Sequence, residues 1–358
     1  MAPLFDERRL DDPAAGGGLV RGRASAAARL RTGRSLAAES GVRHMADDGR
    51  PRSLVVVGTG TAAHAGDMAA AVLGSGCPVP VVTVRDYRLP GWVAGHDLVV
   101  AVASTSGQAA ERTARVAADA VRRGCRFLAI GPVGGPLAPL AEQARAPHIG
   151  LPEPADPADL PWGPAAALLT AASAVGLGDL ADDGHEAAAA RLEAVAAACR
   201  PDAETWENPA KSLAVDLAGT LPVIWGATPV AAAAARYFAS QAMAVARYPA
   251  VCGRPPDALF DQLAATDGPF GGAGPRSIFD DPDEDGGTRL RLVLLRDPAE
   301  PPEAAADLAD AAAAARARGV DVSEPAAPDG HAWERLAGLI ALTDYATVYL
   351  AVAYGAIR

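Results

Sequence analysis

Apolar positions in this chain come in short blocks, and most blocks end in a turn. The clearest is Leu98–Ala103 in "LVVAVASTSGQAAE". Ser104-Thr105-Ser106-Gly107 follows at once, and Ala-rich sequence of helical character comes next. An unbroken apolar run this short predicts a strand buried on both faces, as in parallel sheets. "SLVVVGTGTAAHAGDMAAAVLG" repeats the pattern. It predicts a strand over Leu54–Val57, a tight loop Gly58-Thr59-Gly60-Thr61, and a helix to about Leu73. Further strands are predicted in "PVPVVTVRD" and "CRFLAIGPVGG", with a helix over about 108–123. The Pro-rich run "HIGLPEPADPADLPWGP" is expected to end this alternation.

The second half repeats the scheme. A helical region over about 163–199 precedes "LPVIWGAT", read as strand plus turn, and then the helix "PVAAAAARYFASQAMAVA". An irregular Pro/Gly/Asp-rich stretch covers about 249–288. "TRLRLVLLRDP" is a strand, 301–318 a helix, and 332–354 an apolar helix. Strands alternating with helices predict an α/β protein with parallel sheets covered on both faces. The expected division is a helical segment at 1–50, one α/β domain at 51–162 and a second at 163–358, although no sequence self-similarity links the halves.

Composition narrows the function classes. Half of the 358 residues are hydrophobic and 21% are charged, enough for a large core. The net charge of −11 argues against a nucleic-acid or anionic-membrane partner, since there is no basic field to attract either. Lys211 is the single lysine, read as coding bias. Cys77, Cys125, Cys199 and Cys252 lack metal-ligand spacing, which fits a reduced cytoplasmic protein without a zinc site. Met1–Arg34 has no apolar core run, so no signal peptide is expected. No run reaches the ~18 apolar residues of a membrane span. "DDPDEDGG" at 280–287 is acidic, but its spacing fits no calcium loop. The six histidines have no ligand spacing, and no cofactor is expected.

Two turns carry the candidate chemistry. Amides at a helix start are unpaired, the helix dipole favours an anion there, and Ser104, Thr105 and Ser106 add hydroxyl donors. Gly107 would let the backbone approach a ligand. A phosphate suits such a site; a Ser-rich helix cap that binds nothing is the alternative. Gly58, Gly60 and Thr61 form a second turn, which lacks the third glycine of a dinucleotide fingerprint. Both turns are predicted at C-terminal strand ends, where open α/β sheets bind ligands. His64, in the first helical turn, is the histidine best placed to take part.

The stretch "VVTVRDYRLPGWVAGHDLVVAVASTSG" resembles the bifunctional phosphoglucose/phosphomannose isomerases, and Tyr87–Trp92 is its most specific part. "LDDP" at Leu10–Pro13, "ENPAKSLA" from Glu207, "RYFASQ" from Arg236 and "TDYATVYLA" from Thr343 extend the resemblance over nearly the whole chain. It implies two tandem flavodoxin-like sugar-isomerase (SIS) domains, a homodimer, and isomerisation of glucose-6-phosphate or mannose-6-phosphate to fructose-6-phosphate. It also implies a phosphate site that survives in part: Gly58, Gly60, Ser104, Ser106 and Gly107 match, whereas the family's phosphate-binding serine falls on Ala62, with Thr61 adjacent as a substitute, and its threonine on Ala109.

The family's catalytic positions diverge. Its glutamate base falls on Ala244, its ring-opening histidine on Phe260, and its oxyanion arginine on Trp162. None of these can take a proton or carry charge, so no catalytic residue is assigned. Losing a general base alone costs ~10²–10⁴-fold. The expectation is a sugar-phosphate-binding protein with weak or lost isomerase activity. The alternatives are an active isomerase with a relocated base, from Glu204, Glu207, Asp257 or Asp261 with His64 opening the ring, and a dimer partner without a ligand.

Overall fold

A computed structural model describes residues 4–12, 14, 16–153, 160–180, 182–272 and 288–356. The acidic run at 280–287 lies outside them. Two N-terminal helices, α1 (Gly17–Ala24) and α2 (Ala26–Glu39), precede the first sheet. The chain then runs β1 (Leu54–Gly58), α3 (Ala63–Leu73), β2 (Val81–Val84), β3 (Leu98–Val102), α4 (Gln108–Arg122), β4 (Arg126–Pro132), α5 (Ala138–Ala144), β5 (His148–Leu151), α6 (Trp162–Ala174) and α7 (Asp182–Ala198). The second half runs α8 (Pro209–Leu217), β6 (Thr220–Trp225), α9 (Pro229–Ala244), β7 (Val251–Gly253), α10 (Asp257–Phe260), β8 (Arg289–Leu294), α11 (Pro302–Ala317), β9 (Asp321–Ser323) and α12 (Ala332–Ala353).

Among the described residues each half holds one parallel sheet. The first has the order β2-β1-β3-β4-β5, the second β7-β6-β8-β9. Both begin near the middle and reverse direction between their first and third strands, the flavodoxin-like order. The predicted α/β class with helix-covered parallel sheets is therefore the observed one.

Three strands were not anticipated, one of them β9, which follows the 301–318 helix where no element was assigned. β5 lies in the stretch read as the end of the alternation, and β7 in the stretch read as irregular. All three are edge strands of three or four residues. Runs that short carry too little periodicity to be distinguished from loop, and pairing with β4, β6 and β8 decides them.

Packing divides the chain into two compact units. One is Arg21–Glu193 with Ala332–Glu334; the other is Met1–Val20, Ala194–His331 and Arg335–Arg358. This differs from the sequence-based boundary at 162–163. α2 packs on α6, so the N-terminal helices belong with the first sheet rather than ahead of it.

Alternation along the first-sheet strands builds two interior layers. Val55, Val57, Val99 and Ala101 pack with Val116, Ala117 and Ala120 of α4 and Leu137 and Ala141 of α5. Val56 faces the opposite way, toward Gly66 of α3, where an added Cβ would stand 3.0 Å from it. On that face α3 meets α6, and α6 meets α2. The α2–α6 crossing is tight: a Cβ on Gly33 would reach 2.1 Å from the Gly163 carbonyl oxygen. In the second unit, Leu290, Leu292 and Leu294 of β8 pack against Leu308, Ala311 and Ala315 of α11. α12 is long and apolar enough to cross a membrane by length and composition, and 94% of its most apolar window is buried within the protein.

A buried carboxylate clamps the N-terminal ends of β1 and β3. Asp97, fully buried, accepts from Arg52 Nε at 2.9 Å and Nη2 at 2.6 Å, from Ser53 Oγ at 2.7 Å and from the Ala94 amide at 2.8 Å. Burial opposes its ionisation, but the Arg52 guanidinium, the Ala94 amide and the Ser53 hydroxyl outweigh that and hold its pKa below the ordinary carboxylate value. A depressed pKa stabilises the fold above the unfolded value, and that contribution is lost as pH falls through the folded one. Wild-type stability should thus drop below about pH 4. Asp97→Asn should be less stable than wild type by ~1–2 kcal/mol at neutral pH and show a flatter acid limb, by urea titration at several pH values.

Candidate functional site

The two glycine-hydroxyl turns lie side by side. β1 and β3 pair in parallel with Gly58 opposite Val102, so both strands release their loops at the same edge. Gly60 takes φ +66°, and a Cβ built there would stand 3.9 Å from the Ala109 Cβ in the first turn of α4. Gly58 is needed for a different reason. A Cβ there would come within 3.0 Å of the Ala63 Cα, so the glycine lets α3 start directly against the strand end. Gly107 is less constrained. Its φ is an ordinary −77°, and an added Cβ would meet only Thr105 Oγ1 at 3.8 Å.

The hydroxyls differ in environment. Thr61 and Thr105 are half-buried, while Ser106 is exposed. Ser104 is only 9% exposed, and its Oγ has no hydrogen-bond partner. A buried hydroxyl left unmet costs ~1–3 kcal/mol, so an orphaned one beside an open space points to a ligand. Such a space is present: Ser104 lines a cavity of about 310 Å³, with Ser25, Arg29, Thr32, Glu153 and Leu160 among its other walls.

Glu153 lies at the end of β5, and its carboxylate meets the turn directly. The Ser106 amide donates to Oε1 at 2.8 Å and the Ser106 hydroxyl to Oε2 at 2.6 Å. α4 has no side-chain cap from its own N-cap, Gly107. The anion-attracting character expected of this turn is thus exercised on a carboxylate of the chain itself.

Sequence reasoning missed Arg29, Ser25, Thr32 and Glu153. Glu153 could have been found by reading "HIGL" as a strand, which would have put the next residues at the same sheet edge. No local signal marks Arg29; only the packing of α2 on α6 brings it there.

His64 is turned elsewhere. It is buried, with Nδ1 3.6 Å from Asp67 Oδ2, and Arg85 binds the same carboxylate. Burial opposes ionisation of Asp67, yet His64 and Arg85 hold its pKa below the ordinary value. His64 does not line the cavity.

The divergent positions are scattered in character. Trp162 is a core residue of the first unit, its ring 5.6 Å from that of Trp333. In the second unit, Ala244 ends α9, and Phe260, on α10, is exposed. The carboxylates offered as replacement bases, Glu204, Glu207, Asp257 and Asp261, are all exposed. Lys211 is structural: buried, it donates to the Pro201 and Ala203 carbonyls at 2.8 and 2.7 Å. Burial lowers its pKa, opposed by the charges of Asp11, Glu204 and Asp202.

The corresponding edge of the second sheet is closed internally. Thr228 caps α9, accepting from the Ala231 amide, and donates its hydroxyl to buried Asp297 at 2.5 Å. Asp297 pairs in turn with Arg335 at 2.8 Å. Among the described residues no cluster of His, Cys, Asp and Glu could hold a metal ion.

Two parallel α/β units with this strand order give a fold of the double SIS type. Residues 206–356 match the family model "Bacterial phospho-glucose isomerase C-terminal SIS domain". A bifunctional phosphoglucose/phosphomannose isomerase of Caldicellulosiruptor bescii is 31% identical over 173 residues, covering 48% of this chain and 50% of that protein. Over these segments the chain is similar to phosphoglucose/phosphomannose isomerases, and the match spans about half the length of that relative.

Solved structures agree on the fold. A tagatose-6-phosphate ketose/aldose isomerase from Escherichia coli superposes with TM-score 0.62 at 14% identity, over 96% of both chains. The C-terminal domain of a glucosamine-fructose-6-phosphate aminotransferase from Francisella tularensis gives 0.64 at 12% identity, over 94% of this chain and 96% of that one. A hypothetical protein from Thermus thermophilus gives 0.66 at 17% identity, over 97% of this chain and 88% of that one.

The two glycines should respond differently. Gly60→Ala forces a side chain into the left-handed region and should cost ~1 kcal/mol in calorimetric unfolding. Gly107→Ala, at ordinary φ with open space, should stay within ~0.5 kcal/mol of wild type.

Proposed function

We propose that the protein binds a phosphorylated sugar at the edge shared by β1 and β3, with Gly58, Gly60, Thr61, Ser104, Thr105, Ser106 and Gly107 as the phosphate cradle. The single observation that carries this reading is the buried, unpartnered Ser104 hydroxyl beside the N-terminus of α4, opening on a 310 Å³ cavity. Similarity to this family supports the ligand class. The relatives named above include proteins described as acting on phosphoglucose, phosphomannose and tagatose-6-phosphate.

The reading includes weak or lost isomerase activity. Aldose–ketose isomerisation needs a base within hydrogen-bond reach of a carbon-bound hydrogen, and donors or positive charge at the developing oxyanion. The residues aligned with base, ring-opening acid and cation are Ala244, Phe260 and Trp162. A role in sensing or regulation, as a cytoplasmic homodimer, fits a binder of this kind. The four cysteines, all free, accord with a reducing compartment.

Isothermal titration with fructose-6-phosphate should give a saturable isotherm, and Ser104→Ala and Ser106→Ala should each raise Kd at least ~10-fold, the loss expected of a charge-assisted hydrogen bond. Absence of heat at millimolar ligand would remove the binding claim. Coupled assays with glucose-6-phosphate and mannose-6-phosphate should stay at background. Turnover that Asp261→Asn abolishes would support the relocated-base reading instead.

A further inference from the structure

Glu153 takes for itself the donors that a phosphate would need. Its two oxygens occupy the amide and the hydroxyl of Ser106, one each, at 2.8 and 2.6 Å. The side chain is exposed and follows an edge strand, so among the described residues it is not enclosed by the core. The same carboxylate lines the 310 Å³ cavity together with Ser104, whose buried hydroxyl it leaves unmet.

We infer that Glu153 is a specificity-determining residue: an internal carboxylate that fills the anion cradle and is exchanged for the ligand's phosphate group. This rests on the sugar-phosphate reading above. A carboxylate brings one charge and two oxygens. A phosphate monoester brings close to two charges and three terminal oxygens at neutral pH. An incoming monoester can take over both Ser106 donors and has an oxygen left for the Ser104 hydroxyl. It also interacts more strongly with the positive end of α4. A monoanionic ligand, such as a sugar carboxylate, offers nothing that Glu153 does not already supply. It must also displace a group tethered at high effective concentration. The cradle therefore discriminates for dianions by competition, and its affinity for all anions is held below what its donors could give.

The displaced Glu153 has solvent to turn into, and that matters to the exchange. A buried carboxylate could not leave without an unpaired charge, which is the situation of Asp297 at the corresponding edge of the second sheet. There the carboxylate is only 2% exposed and is paired with Arg335, so it stays. The two edges thus differ in exchangeability.

The test is titration of the full-length protein and its Glu153→Ala and Glu153→Gln variants with three probes: fructose-6-phosphate, inorganic phosphate and gluconate. The competing charge is removed in both variants. Fructose-6-phosphate and phosphate should therefore bind them at least ~10-fold more tightly than wild type, a gain of ~1.4 kcal/mol. Gluconate should bind the variants measurably and wild type not at all. An unchanged Kd for fructose-6-phosphate in both variants, with a lowered melting temperature, would reduce Glu153 to a helix cap and overturn the inference. If neither wild type nor variants bind any phosphate, the sugar-phosphate reading falls as well. Binding by wild type that the variants do not improve removes the exchange alone.

Discussion

The in-register parallel pairing of β1 with β3 is the constraint on which the candidate site depends. It sets Gly58 opposite Val102, so that two turns more than forty residues apart open side by side. The same pairing is closed at its other end by Asp97, which ties Arg52 and Ser53, just before β1, to the turn that precedes β3. One end of the strand pair is sealed by a satisfied buried charge; the other ends in hydroxyls and helix amides. This is the switch point of the sheet, where the crossover direction reverses and a crevice is left between the departing helices.

Electrostatics at the two sheet edges follow one rule with two outcomes. A helix start that follows a strand attracts a negative group, and the chain provides one in each unit. In the second, Asp297 is buried, bound by Thr228 and paired with Arg335, and the edge is complete. In the first, Glu153 reaches the turn from outside and satisfies Ser106 but not Ser104. A cavity lined by Ser104 and Glu153 lies at this incomplete edge. Its floor owes its shape to Gly33 and Gly163, whose contact lets α2 come close enough to α6 to bring Arg29 and Thr32 into the wall.

Family resemblance and the chemistry of the proposed site point in different directions here. The fold and the matched segment resemble the family, while on the proposed reading the positions aligned with its base, ring-opening acid and cation hold alanine, phenylalanine and tryptophan. Function lives in such positions rather than in the scaffold. A chain can retain the donors for an anion, set by loop and helix geometry, after losing side chains that only the chemical step requires. The histidine nearest the cradle, His64, is instead engaged with Asp67 and through it with Arg85.

Local pattern determined a good deal in this protein. Continuous apolar runs marked β1, β3, β4, β6 and β8, because strands buried on both faces need no polar alternation. The turns at 58–61 and 104–107 were legible as strand–helix junctions, because glycines and hydroxyl residues are favoured where a strand turns into a helix. What tertiary structure alone decided was long-range. β5 and β7 exist through pairing, α2 belongs to the first unit through its crossing with α6, and Trp162 is a core residue through its contact with Trp333. Glu153 meets Ser106 across forty-seven positions of sequence. No periodicity encodes a contact of that kind, because it depends on where two loops end in space, and only the completed sheet sets that.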